Sequence, residues 1–526
     1  MLSDLRTGLV ALVAATPFAA CSILYNPNNL ARPDAGADTV DAEVLDAEVL
    51  YDANPDLLTL ESVEPSVLEE GQGTGGSYAT VLVIHGQHFV TNNTTVAIAA
   101  HDGSGPVAQI TVDNSLLDIS ADGRLLAVPI SFAVDITKGK AAPRVRVDVV
   151  VSQMGSTGPV MRTLATLPAD APVLQLAYLD ELTNASPEFM AGQIVPGIYR
   201  FARVIVTGGL RPSTNGGPLR ITAVSSISIT GVTDAKAVLG IASGGGNGGG
   251  NGGGTSTLGP AVAGGTGAGG GGGKSSGGGG GFGEAGAGGT AGGSTSGDEG
   301  LRDLGLARSS GGGGGVGGVG VTAQGGGVGG AGGGTIELTA GGDLTIGDLT
   351  TIGGDGTPTA AANNGGGGGG GSGGTVLLRA RRILSFTSVL ATGGLAGGGG
   401  SVTSFAGGVG RVRIDVPTLA FDSTPPAYRG PTLALGSSLI VRTAHPTFAV
   451  IGAKNRSFGY FFTNSNGTQF GTTQLIGPTG AQNLTLPIEK PLGRGINHFC
   501  LLVAGATAAS PPEAMNCSDI VYLYSP

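Results

Sequence analysis

The chain has 526 residues, enough for about three or four domains. Its 104 glycines far exceed the usual share of about 7%, and only 12% of residues are charged. A formal charge of -10 disfavours nucleic acid, whose phosphates need clustered Lys and Arg. With no Trp and 5% aromatics, the composition argues against aromatic-rich cores and ligand clefts. Mean hydropathy is positive, yet no internal run reaches the roughly 18 apolar residues that span a bilayer.

The N-terminus carries Arg6, an apolar run from Leu9 to Ala15, and then Thr-Pro-Phe-Ala-Ala-Cys21. A short charged start, an apolar stretch and small residues make the layout of a secretory signal. It resembles a bacterial lipoprotein signal over residues 1–20. The resemblance implies that Cys21 is acylated and becomes the mature N-terminus, although Phe18 stands where such signals usually carry Leu. The alternative is an ordinary secretory signal cleaved nearby. Ser22, with no Asp after the cysteine, implies retention in the outer membrane of a Gram-negative cell under that family's sorting logic.

Residues 21–56 are rich in Asp, Ala, Asn and Pro, with the tandem Asp41-Ala-Glu-Val-Leu-Asp46-Ala-Glu-Val-Leu50. They carry too few apolar groups to order themselves and read as an acidic disordered tether. A calcium loop would need alternating oxygen ligands and a turn glycine, which the tandem lacks.

Residues 57–172 show short alternating runs, among them 79–85, 107–112, 125–130 and 145–151, separated by turn residues. Val63-Glu-Pro65, the glycine-rich turn from Gly71 to Gly76, Val81-Leu-Val-Ile-His-Gly86-Gln-His-Phe89 and Val128-Pro129 resemble the IPT/TIG family of immunoglobulin-like sandwiches. The resemblance implies a binding or spacer module. His85 and His88 invite a metal reading, but three-residue spacing on a strand would put them on opposite faces.

Residues 192–421 hold a repeat. Pro218–Ile229, Thr335–Ile346 and Thr375–Phe386 share one pattern of alternating apolar residues closed by a small Ala, and a glycine tract follows each. Thr335–Gly354 matches Thr375–Gly394 without a gap. Such turns bury their inward Ile, Leu and Val only by stacking, so the segment reads as a short glycine-rich parallel β-solenoid. A flat or sandwiched antiparallel sheet with glycine hairpins is the alternative. The tracts are either disordered or held by backbone hydrogen bonds, because glycine loses the most freedom on ordering. Their common exit point suggests a layered bundle of extended strands, resembling the polyglycine sandwiches of some phage adhesins and an insect antifreeze protein.

Residues 425–526 return to alternating strands and read as a second immunoglobulin-like sandwich. Cys500 and Cys517 lie in flanking strands of a terminal hairpin. In an exported chain a disulfide between them is the expected state rather than two free thiols.

Chemistry is scarce. Ala268-Gly-Gly-Gly-Gly-Gly-Lys274-Ser275 loosely fits a phosphate loop but lacks the required strand and helix. Glu337, Asp343, Asp348 and Asp355 could form the carboxylate pair of a polysaccharide lyase or glycosidase. Clustered in one repeat copy, they read better as outward solubilising positions. The sequence thus predicts an all-β, non-catalytic, lipid-anchored cell-surface protein with no cofactor or metal, structural or adhesive in role. Its expected contacts are the membrane through its lipid, and glycans, matrix or other surface proteins. The alternative is a polysaccharide-binding or polysaccharide-cleaving β-helix protein. The sequence leaves the oligomeric state open.

Overall fold

The computed structural model describes residues 54–74, 80–91, 93–135, 144–164, 174–190, 192–213, 217–236, 287, 301, 327–359, 366–382, 384–398, 404–418, 426–435 and 439–525. The signal region, Cys21, the tether to residue 53 and Lys274-Ser275 lie outside them. Among the described residues there is no α-helix; strands and short 3-10 turns account for the regular structure.

The first lobe is two sheets around one apolar core. Thr59–Glu64, Thr80–Gln87, Leu125–Phe132 and Ile110–Val112 form one sheet, with Asp118–Ile119 added. Val67–Glu69, Gln175–Ala177, Val145–Gly155, Thr94–Ala100 and Gly158–Thr163 form the other. The chain passes between sheets at the cis Glu64–Pro65 bond, and Val67–Glu69 then runs parallel to Gln175–Ala177. Alternation puts Leu82, Ile84, Leu126 and Val128 from one sheet against Val96, Val147 and Val149 from the other. Gly86 lets Phe89 close this core: a Cβ there would meet the Thr59 carbonyl oxygen at 2.2 Å.

The middle of the chain stacks in two parallel ladders. Ile198–Phe201, Leu219–Ala223, Thr335–Ala340, Thr375–Ala380, Arg411–Asp415 and Tyr428–Arg429 pair in that order. Glu181–Thr183, Arg203–Val206, Ile227–Ile229, Leu344–Thr350 and Leu384–Leu390 form the second sheet, with Thr233–Asp234 added beside Leu344–Thr350. Leu219 pairs with Ile336, and Ile336 with Val376, the register of the sequence repeats. Inward Ile221, Leu338, Leu378 and Ile414 stack between the sheets with Ile229, Ile346 and Val389.

Between rungs the glycine arms leave and return side by side. Gly327, Gly330 and Gly333 donate to the carbonyls of Gly366, Gly369 and Ser372, and Gly353, Gly356 and Thr359 to Thr392, Leu395 and Gly398. Returning and outgoing arms bond antiparallel: Gly368, Gly371 and Gly374 donate to Thr357, Gly354 and Thr351. Every third amide serves one neighbour, the periodicity of the three-residue polyproline II turn. Cβ atoms at Gly330, Gly353, Gly371 or Gly394 would lie 1.9–2.1 Å from a neighbouring carbonyl oxygen, so glycine is obligatory there. Residues 237–326, apart from Ala287, which donates to Ala406, and buried Leu301, lie outside the described residues.

The terminal lobe again has two sheets. Thr432–Leu433, Thr447–Ile451 and Ala481–Thr485 face Ile440–Val441, Met515–Tyr522, Gly495–Val503, Ser457–Asn464 and Gly467–Phe470. Phe448, Phe458, Tyr460, Phe462, Phe499 and Tyr522 fill its core. The low overall aromatic content concealed this concentration, and the expectation against aromatic-rich cores is corrected.

The first and terminal lobes are in direct contact. Val83, Leu125 and Ala127 of the first pack directly on Val521 and Leu523 of the last. Ala121 donates to the Tyr524 carbonyl at 2.9 Å, and Arg442 and Arg494 pair with Asp118 and Asp122. The described residues from 54 onward accordingly form one compact unit. Leu523 is fully buried. Leu523→Ala is expected to cost about 2–5 kcal/mol, through lost burial and the cavity left behind. Thermal unfolding checks the loss, and earlier proteolytic cleavage between lobes reports the undocking.

Candidate functional site

Glu337, Asp343, Asp348 and Asp355 do not converge. Glu337 faces out from its strand but is buried, within 3.7 Å of Arg220 and 3.9 Å of Arg379. Asp343 is held bidentately by Arg382, whose Nε lies 2.8 Å from Oδ1. Asp348 accepts from Ser388 Oγ at 2.7 Å, and Asp355 accepts from the Leu395 amide at 2.6 Å. Each carboxylate is thus engaged by a neighbouring rung. Glu337 departs from the expected solubilising role because the terminal lobe covers its face.

That cover creates an ionic junction. Arg413 is fully buried and donates through Nε and Nη2 to Asp415 at 2.8 and 2.6 Å. Arg379 Nε reaches Asp415 at 3.1 Å, and Arg220 pairs with Glu513 of the terminal lobe. Arg413 Nη1 also donates to the Glu513 carbonyl at 2.6 Å, and Asn516 to Asp415 at 3.1 Å. Three guanidinium groups thus meet Glu337, Asp415 and Glu513. Burial works against ionisation of Asp415, but the charges of Arg413 and Arg379 outweigh it and hold its carboxyl below its ordinary value. Burial, with the Arg413 charge beside it, draws Arg379 below the usual arginine range. With every acid ion-paired, this junction suits a rivet between lobes better than proton transfer. Alternation in Arg411-Val-Arg-Ile-Asp415 marks Arg413 and Asp415 as outward; that the outward face is covered was not readable.

The second parallel sheet has a polar outer face. Thr183, Ile205, Ser228, Thr345 and Ser385 stand in register, one on each of five rungs. Rungs about 4.8 Å apart make a row about 19 Å long. Ser385 Oγ donates to Thr345 Oγ1 at 3.1 Å, and parallel rows add Ser388–Asp348 and Thr350–Asp234. Thr345 and Ser385 are exposed. The row thus offers hydroxyls at four of five rungs, interrupted by exposed Ile205.

Cys500 and Cys517 are disulfide-bonded, directly opposite one another with Cα atoms 4.0 Å apart. In the chain-entropy view, closing this 17-residue loop contributes about 3 kcal/mol. His85 and His88 part company differently from expectation. His85 lies on Thr80–Gln87, with Nε2 3.7 Å from Glu64. His88 is past the strand end with a φ of 63°, and its carbonyl accepts from Gln153. Strand alternation therefore does not relate them, and nothing in their placement joins them at one metal.

Comparison with family models, with curated proteins and with solved structures finds no match to this chain.

Proposed function

We propose that this chain is a non-catalytic, lipid-anchored cell-surface protein with a structural or adhesive role. In this reading a short glycine-rich β-solenoid is carried between two immunoglobulin-like sandwiches. The in-register parallel rungs support the solenoid. The sheet-switching first strand and the two facing sheets support the sandwich reading of residues 57–172, and its IPT/TIG membership rests on the sequence resemblance alone. The observation that carries the adhesive role is the row Thr183–Ile205–Ser228–Thr345–Ser385. Four of its five positions carry hydroxyls and one carries exposed Ile205. Repeated hydroxyls beside an apolar contact suit a glycan, which offers repeated hydroxyls and apolar ring faces. Polysaccharide cleavage draws no support from Glu337, Asp343, Asp348 and Asp355, each engaged where it stands.

Two measurements test this. Metabolic labelling with palmitate is expected to mark the chain and keep it with membranes, in the outer-membrane fraction, while Cys21→Ser abolishes both. Unlabelled, soluble wild type would sink the anchor. On glycan arrays and cell-adhesion assays, Thr345→Lys with Ser385→Lys is expected to lower binding by tenfold or more (about 1.4 kcal/mol). Undiminished binding by that variant, or polysaccharide hydrolysis by the wild type, would remove the role assigned to this face.

A further inference from the structure

The terminal hairpin carries four side chains with metal-binding chemistry in a rectangle. His498 is directly opposite Asp519, and Cys500 directly opposite Cys517. Two-residue alternation puts all four on one face of the sheet. A ring nitrogen of His498 and the two Sγ atoms lie within 4.8 Å of one another. His498 Nδ1 is 2.9 Å from Asp519 Oδ1, so the carboxylate fixes the ring and leaves Nε2 for another partner. Arg381 donates to the Cys517 carbonyl at 2.8 Å, bringing positive charge that favours a thiolate there. The His498 side chain is 49% exposed, which gives an ion access from solvent. Phe461, Leu502 and Met515 supply an apolar floor around the sulfurs.

We propose that this face is a redox-gated zinc site. A dithiol reductant passes two electrons and two protons to the Cys500–Cys517 bond and is itself converted to a disulfide. Zinc(II) then displaces the two thiol protons and is held by both thiolates and His498, with water completing a tetrahedral shell. Thiolates of such a shell stand about 3.8 Å apart, given Zn–S bonds of about 2.3 Å. Opposed cysteines with Cα atoms 4.0 Å apart reach this by side-chain rotation alone. The eight residue pairs joining these strands keep the rectangle assembled once the covalent link opens. Oxidised, the pair is a staple; reduced, it is a chelate. This does not depend on the adhesive reading.

The test uses the full chain carrying Cys21→Ser, so that Cys500 and Cys517 are its only thiols. After anaerobic reduction with dithiothreitol and its removal, zinc titration is expected to give one bound ion per chain, and none for the oxidised chain. Cobalt(II) in place of zinc is expected to show thiolate charge-transfer absorption. His498→Gln, a surface change, should weaken zinc binding by more than tenfold, and Asp519→Asn by about 10–100-fold. No bound zinc in the reduced chain, loss of its β-sheet circular dichroism, or stoichiometric binding that survives Cys500→Ser with Cys517→Ser would each overturn the proposal.

Discussion

Gly371→Ala is expected to destabilise the protein by about 3–5 kcal/mol, although it adds a single methyl group. The added Cβ would stand 2.0 Å from the Ala331 carbonyl oxygen and 2.4 Å from its carbonyl carbon. Neither atom belongs to a side chain that can swing away, so two backbones must separate. Separation also lengthens the bonds from Gly371 to Gly354 and from Gly394 to Gly371, because one residue serves two arms. Gly398→Ala is the control: its nearest neighbour would be Pro358 Cβ at 3.8 Å. That variant should stay within about 1 kcal/mol of wild type. Urea unfolding of the three proteins checks the contrast, and equal stabilities would mean that the arms are not packed as described.

Asp415→Ala is expected to cost about 3–5 kcal/mol, because it leaves Arg413 and Arg379 with buried charge and no shared counter-ion. Removing both partners should hurt less. Arg413→Met combined with Asp415→Leu is expected to recover part of the loss, since the buried Arg413 charge leaves with its counter-ion and only Arg379 is left to lean on Glu337 at 3.9 Å. The pH dependence follows from the lowered Asp415 value. A carboxyl held below its unfolded pKa of about 3.9 contributes its full stability above that pH. The contribution disappears as the pH falls through the folded value, where the carboxyl takes up its proton. The stability gap between wild type and Asp415→Asn should therefore be widest near neutrality and close under strong acid. A gap independent of pH would locate the effect in packing rather than charge.

The repeat was legible because it is written twice at equal length. Thr335–Ala340 and Thr375–Ala380 are separated by 40 residues and pair without a slip. Strand alternation identified the inward set, Ile336, Leu338, Val376 and Leu378, through buried apolar residues at every second position. The same rule misread the other face. Glu337, Leu377 and Arg413 occupy outward positions and would meet water if the stack stood alone, yet all three are buried. Outward Leu377 was the one local hint, being apolar where a solvated face has no use for it. Leu377 is covered by Leu301, 76 residues before it, and Arg413 by Glu513, 100 residues beyond it, and no periodicity connects either pair. Long-range docking of the first lobe on the last escaped for the same reason. Apolar residues such as Val83 and Val521 sit on the faces of their strands away from each lobe's own core. The terminal cysteines were easier, since two strands joined by a short loop bring opposed positions together.

The glycine arms are knit by amide-to-carbonyl bonds and bury very little hydrocarbon. On melting they release mainly peptide groups, whose hydration lowers heat capacity, whereas exposed apolar surface raises it. The protein's heat-capacity increment per residue should therefore fall below the globular norm of about 12–15 cal/mol/K. Its stability curve is expected to be correspondingly broad and shallow by calorimetry, with the arms keeping their order into the cold, where purely hydrophobic cores weaken.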